Sequence, residues 1–187
     1  MSTADNRQLS IDSSPSEYLG LSHQARKAQA TRDRIIAAVI ELINEQGLAG
    51  ATSGQIVRRA GITWGAVQHH FGTKEDILNA VLYRAHTAYL ARLDSAQLAQ
   101  GDLVDRVNRF VDTVWEHYRS DLYFAFSEIL RASRLNNASD YSTPFSLTEQ
   151  QTKHTAIMAE MFDEFDIPSA RLHDAFRFVH RFLAGFS

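Results

Sequence analysis

The spacing of residues around Gly61 constrains the fold more than any other feature of this 187-residue chain. The stretch Thr52–Lys74 reads TSGQIVRRAGITWGAVQHHFGTK. Thr52 and Gln55 have the spacing of a capping box, with Thr at the N-cap and Gln at N3. A short helix then runs to about Ala60 and stops at Gly61, where a positive φ makes a sharp turn. Ile62 points back toward the core. A second helix runs from about Thr63 to Phe71 and stops at Gly72. Ile56 and Ala60 on the first helix can pack with Val67 and Phe71 on the second. This is the arithmetic of a helix-turn-helix, in which one helix braces on the phosphate backbone and the other enters a major groove about 12 Å wide.

At about 100° per residue, Val67 and Phe71 fall on one side of the second helix, with Ala66 and His70 flanking them. Trp64, Gly65, Gln68 and His69 spread over the other side. That face carries no acid, which suits a nucleic-acid surface. Gln68 can bond adenine through two atoms, and His69 can donate to a base or a phosphate. Gly65 lets the helix backbone come close, and Trp64 can cover a thymine methyl or a sugar. The bland alternatives are a half-buried Trp64 and a solvated His69–His70 pair. Metal binding by that pair is disfavoured, because adjacent helical positions diverge by about 100°.

The rest of the chain reads as all-α. It has 9 glycines, 3 prolines and no cysteine, which leaves little turn material and favours long helices over a many-stranded sheet. Zero cysteine excludes a disulfide framework, a zinc–cysteine site and a thiol nucleophile. It fits a reducing, cytoplasmic setting. No apolar run reaches the roughly 18 residues that span a bilayer, so no membrane partner is expected. The first residues have neither the basic start nor the apolar centre of a secretory signal. Residues 1–21 carry a net charge of −2 and read as a flexible polar tail, residues 22–76 carry +2, and residues 77–187 carry −3. The mildly basic block is the part that could meet a polyanion.

Periodicity places a helix over about 22–46, with Ile35, Ile36, Val39, Ile40, Leu42 and Ile43 as its apolar stripe and Gly47 as its stop. After the two short helices, Thr73 caps a helix over about 74–98, with Glu75 and Asp76 in its first turn. Four further segments follow at about 102–119, 121–136, 147–165 and 168–185. Pro144 falls in a loop from about Asn136 to Ser146, and Pro168 sits in the first turn of the last helix.

The continuation of the motif carries a resemblance. Gly47, Thr52, Ile56, Ala60-Gly61-Ile62, Thr63, Gly65, His70-Phe71, Lys74-Glu75 and Ile77-Leu78 are similar to the pattern of the TetR/AcrR family of bacterial transcriptional repressors. The resemblance runs from about Ala30 to Leu82. It implies a DNA-binding domain over 22–84 and an effector-binding and dimerisation domain over 85–187. The residues that would meet DNA are Thr52, Ser53, Thr63, Trp64, Gly65, Gln68, His69, His70 and Lys74, with Lys74 at a phosphate-facing corner. Three positions depart from the family pattern: Val57 stands where Ala is common, Gln68 where a phosphate-contacting Tyr is common, and Trp64 where a polar or basic residue is frequent.

The resemblance also implies a homodimer on a near-palindromic operator in double-stranded DNA, and a small-molecule effector that releases it. His86, Tyr89, Trp115, His117, Tyr118 and Tyr123 are the polar-tipped candidates to line an effector pocket. A packed core is the alternative for the same aromatics. The apolar stripes Ile157, Met161, Phe162 and Phe165, then Leu172, Phe176, Val179, Leu183 and Phe186, could pair with their copies as a four-helix bundle; the alternative is that both stripes serve only the monomer core. No cofactor, metal or catalytic residue is expected. An enzyme is disfavoured because the chain has no P-loop, HExxH or Gly-rich nucleotide turn. A helical adaptor that binds protein instead of DNA is the other alternative.

Overall fold

The computed structural model describes residues 22–93, 98–135 and 156–185. These residues are helical, with no strand among them. The expected tail at 1–21, the Pro144 loop and the first part of the segment at 147–165 lie outside the described residues.

Helix α1 spans His23–Gly50, opened by the Ser22 hydroxyl, which accepts from the Ala25 N–H. Gly47 breaks it where the stop was expected, at φ 70° and ψ 175°, and one further helical turn carries the chain to Gly50. Helices α2 (Ser53–Ala60) and α3 (Trp64–Phe71) follow. The Thr52 and Thr63 hydroxyls cap them, each accepting from the backbone N–H three residues on at 3.3 Å. Between them Gly61 takes φ 63°, ψ 39°, the left-handed conformation that only glycine adopts without a steric penalty. The Ile62 N–H returns to the Val57 carbonyl at 3.1 Å, which closes the turn.

Helix α4 is described over Lys74–Leu93, and its expected continuation to about 98 falls on residues outside the description. Thr73 caps it as expected: its hydroxyl accepts from the Asp76 N–H at 3.1 Å, and the Asp76 carboxylate accepts from the Thr73 N–H at 2.9 Å. Helix α5 (Leu103–Tyr118) opens on a full capping box between Asp102 and Asp105. Helix α6 spans Asp121–Leu135. Helix α7 is described over 156–161 and α8 over Ser169–Ala184.

The expectation of one helix to residue 165 is corrected. After residue 161 the chain tightens into a 3₁₀ turn at Asp163–Phe165 and reverses at Asp166, φ 46°. Buried Arg106 of α5 explains the stop. It donates to the Met161 carbonyl at 2.7 Å, pairs with Glu164 at 2.6 Å and lies over the Phe165 ring. Pro168 is the N-cap of α8 and not its first-turn residue.

Two cores result. The first is made by Ile35, Val39, Leu42 and Ile43 of α1, Ile56 of α2, Val67 of α3, Ile77 and Val81 of α4, and Ala125 and Ile129 of α6. The second gathers Tyr89 and Leu93 of α4, Phe110, Val114 and Tyr118 of α5, and Met158, Met161 and Phe162 around α7, with Phe176, Val179 and Leu183 of α8 packed on it. Helix α4 runs through both cores. Helix α6 crosses the boundary drawn between residues 84 and 85, because Ala125 and Ile129 fill the first core. Its start is tied to α1 by Asn44, whose amide donates to the Asp121 carbonyl at 2.9 Å.

Candidate functional site

Helix α3 has a single buried residue, Val67, and that residue sets which side faces out. Thr63, Gly65, Gln68 and His69 are exposed, the last three on the face expected for them. Trp64 takes the alternative placement: it is half-buried and packs against the first core. It lies three residues before Val67, and positions three apart share a helix side, so the indole follows Val67 inward. His70, three residues after Val67, is half-buried for the same reason. Burial first, then the neighbouring His69 and Arg32, hold the His70 imidazole below its usual range, so its neutral form is favoured. Thr52 is exposed at the start of α2, Ser53 is half-buried beside it, and Lys74 is half-buried at the start of α4.

Gly65 separates function from packing. A Cβ built there meets nothing closer than the Thr63 hydroxyl at 4.0 Å. Glycine inside a helix costs roughly 0.5–1 kcal/mol against alanine, and nothing within this chain requires it. The room it leaves is on the solvent side of the exposed α3 face.

The cations of the basic block are not equivalent. Arg59 is held on the α1 side by Glu45 at 2.6 Å and Glu41 at 3.0 Å. Arg32 donates to the His70 carbonyl and lies over the Phe71 ring, 4.1 Å from its centroid. Arg26, Lys27, Arg34 and Arg58 are exposed. Sequence reasoning missed both engaged arginines. Arg32 is 38 residues from its acceptor, so no local spacing announces the contact. The next residue on α1, buried Asp33, pairs with Arg84 of α4 at 2.8 Å.

Behind this surface, four of the six effector candidates come together. Tyr89, His117, Tyr118 and Tyr123 form a ring cluster, with centroids 4.6 Å apart for Tyr89–His117, 5.3 Å for His117–Tyr123 and 4.2 Å for Tyr118–Tyr123. The residue that organises them was not among the candidates. His180 of α8 shares hydrogen bonds with the Tyr89 hydroxyl at 2.7 Å through Nε2 and with the Tyr118 hydroxyl at 2.6 Å through Nδ1. Its sequence signal was the seven-residue spacing from His173, which reads equally as a shared helix face. Burial pushes both phenols well above their usual range, with a smaller contribution from the neighbouring tyrosine in each case. They therefore stay neutral donors and acceptors.

Trp115 is placed differently. It is half-buried with the Arg119 guanidinium over its ring at 5.8 Å. His86 is half-buried on α4, one turn before Tyr89. A shallow depression lies between α7 and α8, lined by Met158, Ala159, Ser169, Leu172, His173 and Phe176. No group of three or more metal-binding side chains occurs among the described residues. No helix among them is long and apolar enough to cross a membrane.

Comparison with known proteins bears on this geometry. Residues 35–81 match the family described as bacterial regulatory proteins, tetR family. The chain is 50% identical over 58 residues to the HTH-type transcriptional regulator SrpR of Pseudomonas putida, 31% of this chain and 27% of that protein. The same identity over the same length relates it to the regulator TtgW of Pseudomonas putida, covering 43% of that protein. These matches therefore span less than half of either relative. A longer match, 28% identical over 150 residues, covers 77% of this chain and 73% of the regulator BetI of Escherichia coli. Two solved structures share the fold: a transcriptional regulator from Rhodococcus sp. Rha1, with a TM-score of 0.63 and 22% identity over 82% of this chain and 80% of that one, and the fatty acid degradation regulator FadR from Bacillus halodurans, with a TM-score of 0.60 and 18% identity over 82% and 86%.

Proposed function

We infer, from a helix-turn-helix that matches the family described as bacterial regulatory proteins, tetR family, a DNA-binding transcriptional regulator that acts as a homodimer and is released from its operator by a small molecule. The observation that carries DNA binding is the exposed face of α3. Gly65, Gln68 and His69 stand on it without an acid, and the chain has no internal need of a glycine there. Thr52, Ser53, Thr63 and Lys74 gather at helix starts, where N–H groups and a cation meet phosphates. Gln68 and His69 meet base edges.

The dimer is supported by α8. Its inward face, with Leu172, Phe176, Val179 and Leu183, is already spent on the second core. Phe178 and Phe182 remain on the other side, 66% and 53% exposed and stacked with centroids 5.8 Å apart. A two-fold pair of such helices places two copies of α3 on one side of the molecule, and a two-fold protein selects a near-palindromic operator. The earlier placement of Met161 in the interface does not fit this structure, since Met161 is buried in the monomer.

The effector response rests on the ring cluster, which is packed together here. A ligand that enters between Tyr89, Tyr118 and Tyr123 has to displace the His180 bridge, and Tyr89 is on the helix that starts at the DNA-binding surface. Such a ligand releases DNA only to the extent that it binds the opened state more tightly. A coupling of about 1–3 kcal/mol would weaken DNA binding roughly 5–150-fold.

The test is to pass fragmented bacterial DNA over the purified chain and sequence what is retained. Retained fragments that share a near-palindrome, with binding that weakens steeply as salt rises, support the reading. Retention without any shared sequence sinks it.

A further inference from the structure

Helix α3 is eight residues long; Val67 is its one fully buried side chain, and Trp64 and Phe71 pack only partly against the first core. A helix this short does not hold a fixed pose by its own hydrogen bonds, yet base reading requires its side chains to stand in a fixed register. We propose that Arg32 of α1 is the positioning residue for α3. It sets the angle at which α3 presents Gln68 and His69, and it makes no DNA contact of its own. This rests on α3 being the recognition helix, as proposed above.

Three observations support it. The Arg32 guanidinium donates to the His70 carbonyl, in the last turn of α3, and covers the Phe71 ring at 4.1 Å. Both contacts grip the carboxyl end of α3, where orphan carbonyls and the negative end of the helix dipole favour a cation. Cation–π contact fixes the plane of the guanidinium as well as its position. The amino end of α3 is set separately, by the Thr63 cap and the Gly61–Ile62 turn, so the two ends are held by independent devices. Arg32 is half-buried and already occupied, which separates it from exposed Arg26 and Lys27.

The same turn of α1 also holds α4. Asp33 is 8% exposed, accepts from the Gln29 amide at 3.2 Å and pairs with Arg84 at 2.8 Å. Residues 32 and 33 therefore make one joint with α3 on one side and α4 on the other. Arg84 lies five residues before Tyr89, whose hydroxyl bonds His180.

The test compares wild-type chain with Arg32→Met, Arg32→Gln and Arg32→Lys on two duplexes of equal length, a fragment retained from bacterial DNA and a random sequence. The expected result is a roughly tenfold loss for Arg32→Met on the retained duplex, in line with removal of a charge-assisted hydrogen bond. Affinity for the random duplex and the salt slope stay at wild-type values, and Arg32→Lys recovers part of the loss. Arg32→Gln keeps a donor for the His70 carbonyl and serves if the Met variant does not fold.

Equal losses on both duplexes, with the salt slope lowered by about 0.9, would make Arg32 a phosphate contact and overturn the proposal. So would a lower melting temperature with unchanged DNA preference. Combining Arg32→Met with Arg84→Met should lose less preference than the product of the single losses, and fully independent losses would refute the shared joint. If the wild-type chain itself prefers neither duplex, the assignment of α3 as the recognition helix fails, and that outcome is distinct from a failure of Arg32 alone.

Discussion

Gly65 and Gly61 are both glycines of the same hairpin, but different forces keep them. Gly61 answers a backbone demand, since φ 63° lies in the left-handed region that disfavours a side chain. Gly65 answers no demand within the chain, since a Cβ there finds open space. Gly65→Ala is therefore expected to stabilise the fold by about 0.5–1 kcal/mol while lowering affinity for the operator. Thermal unfolding and DNA titration of one preparation check the two signs together. A variant that binds DNA as well as wild type would remove close backbone approach from the account. The exposed Gln68 and His69 were legible in the sequence because a helical wheel needs only the position of one buried residue, Val67. The wheel leaves Trp64 between an exposed and a half-buried placement, and its three-residue spacing from Val67 decides for the second. His180 was not legible: its two phenol partners lie 62 and 91 residues away.

At the scale of elements, the caps carry the reading. Thr52, Thr63 and Thr73 each precede a helix and each is found capping it. Short-range hydrogen bonds of this kind are written in three-residue spacings, so the helix starts were legible. The stop of α7 was set by Arg106, 55 residues before the carbonyl it takes, and no periodicity within α7 contains that. The cap of α4 also titrates. Hydrogen bonds from the Thr73 hydroxyl, then from its N–H, hold the Asp76 carboxyl below its usual range against a small opposing burial effect. A depressed carboxyl pKa contributes stability above the unfolded value of about 3.9, and that contribution is lost as pH falls through the folded value. The melting temperatures of wild type and Asp76→Asn should thus differ at neutral pH and converge below about pH 4. A gap that stays constant across that range would show that the carboxylate charge does not matter to the cap.

For the whole molecule, two cores share α4, and that sharing links the α3 surface to α8. The first core fixes α3 relative to α1, the second meets α8, and α4 belongs to both. The sequence showed the helix count and the amphipathic stripes, but not that α6 would pack into the first core, because Ala125 and Ile129 look the same whichever neighbour buries them. It showed the α8 stripe of Leu172, Phe176, Val179 and Leu183, but not that this stripe is taken up by the monomer core. Phe178→Asp or Phe182→Asp should weaken self-association by about 30-fold or more, the cost of an interface hot spot, and leave the helical spectrum intact. Phe176→Asp should instead unfold the second core, since Phe176 packs on Phe110 and His180. Light scattering with circular dichroism separates these, and an unchanged mass for both outward variants would place the dimer elsewhere.

The central claim is that the exposed face of α3 reads a DNA sequence, and the ratio of affinities for retained and random duplexes, followed across salt, tests it most directly. The account predicts a ratio well above one for wild type. Gln68→Ala should lower that ratio by about 1–3 kcal/mol at one position of each half-site. Lys74→Ala should weaken both duplexes alike and reduce the salt slope by roughly one. A ratio near one for wild type, or equal losses on both duplexes for Gln68→Ala, would contradict it.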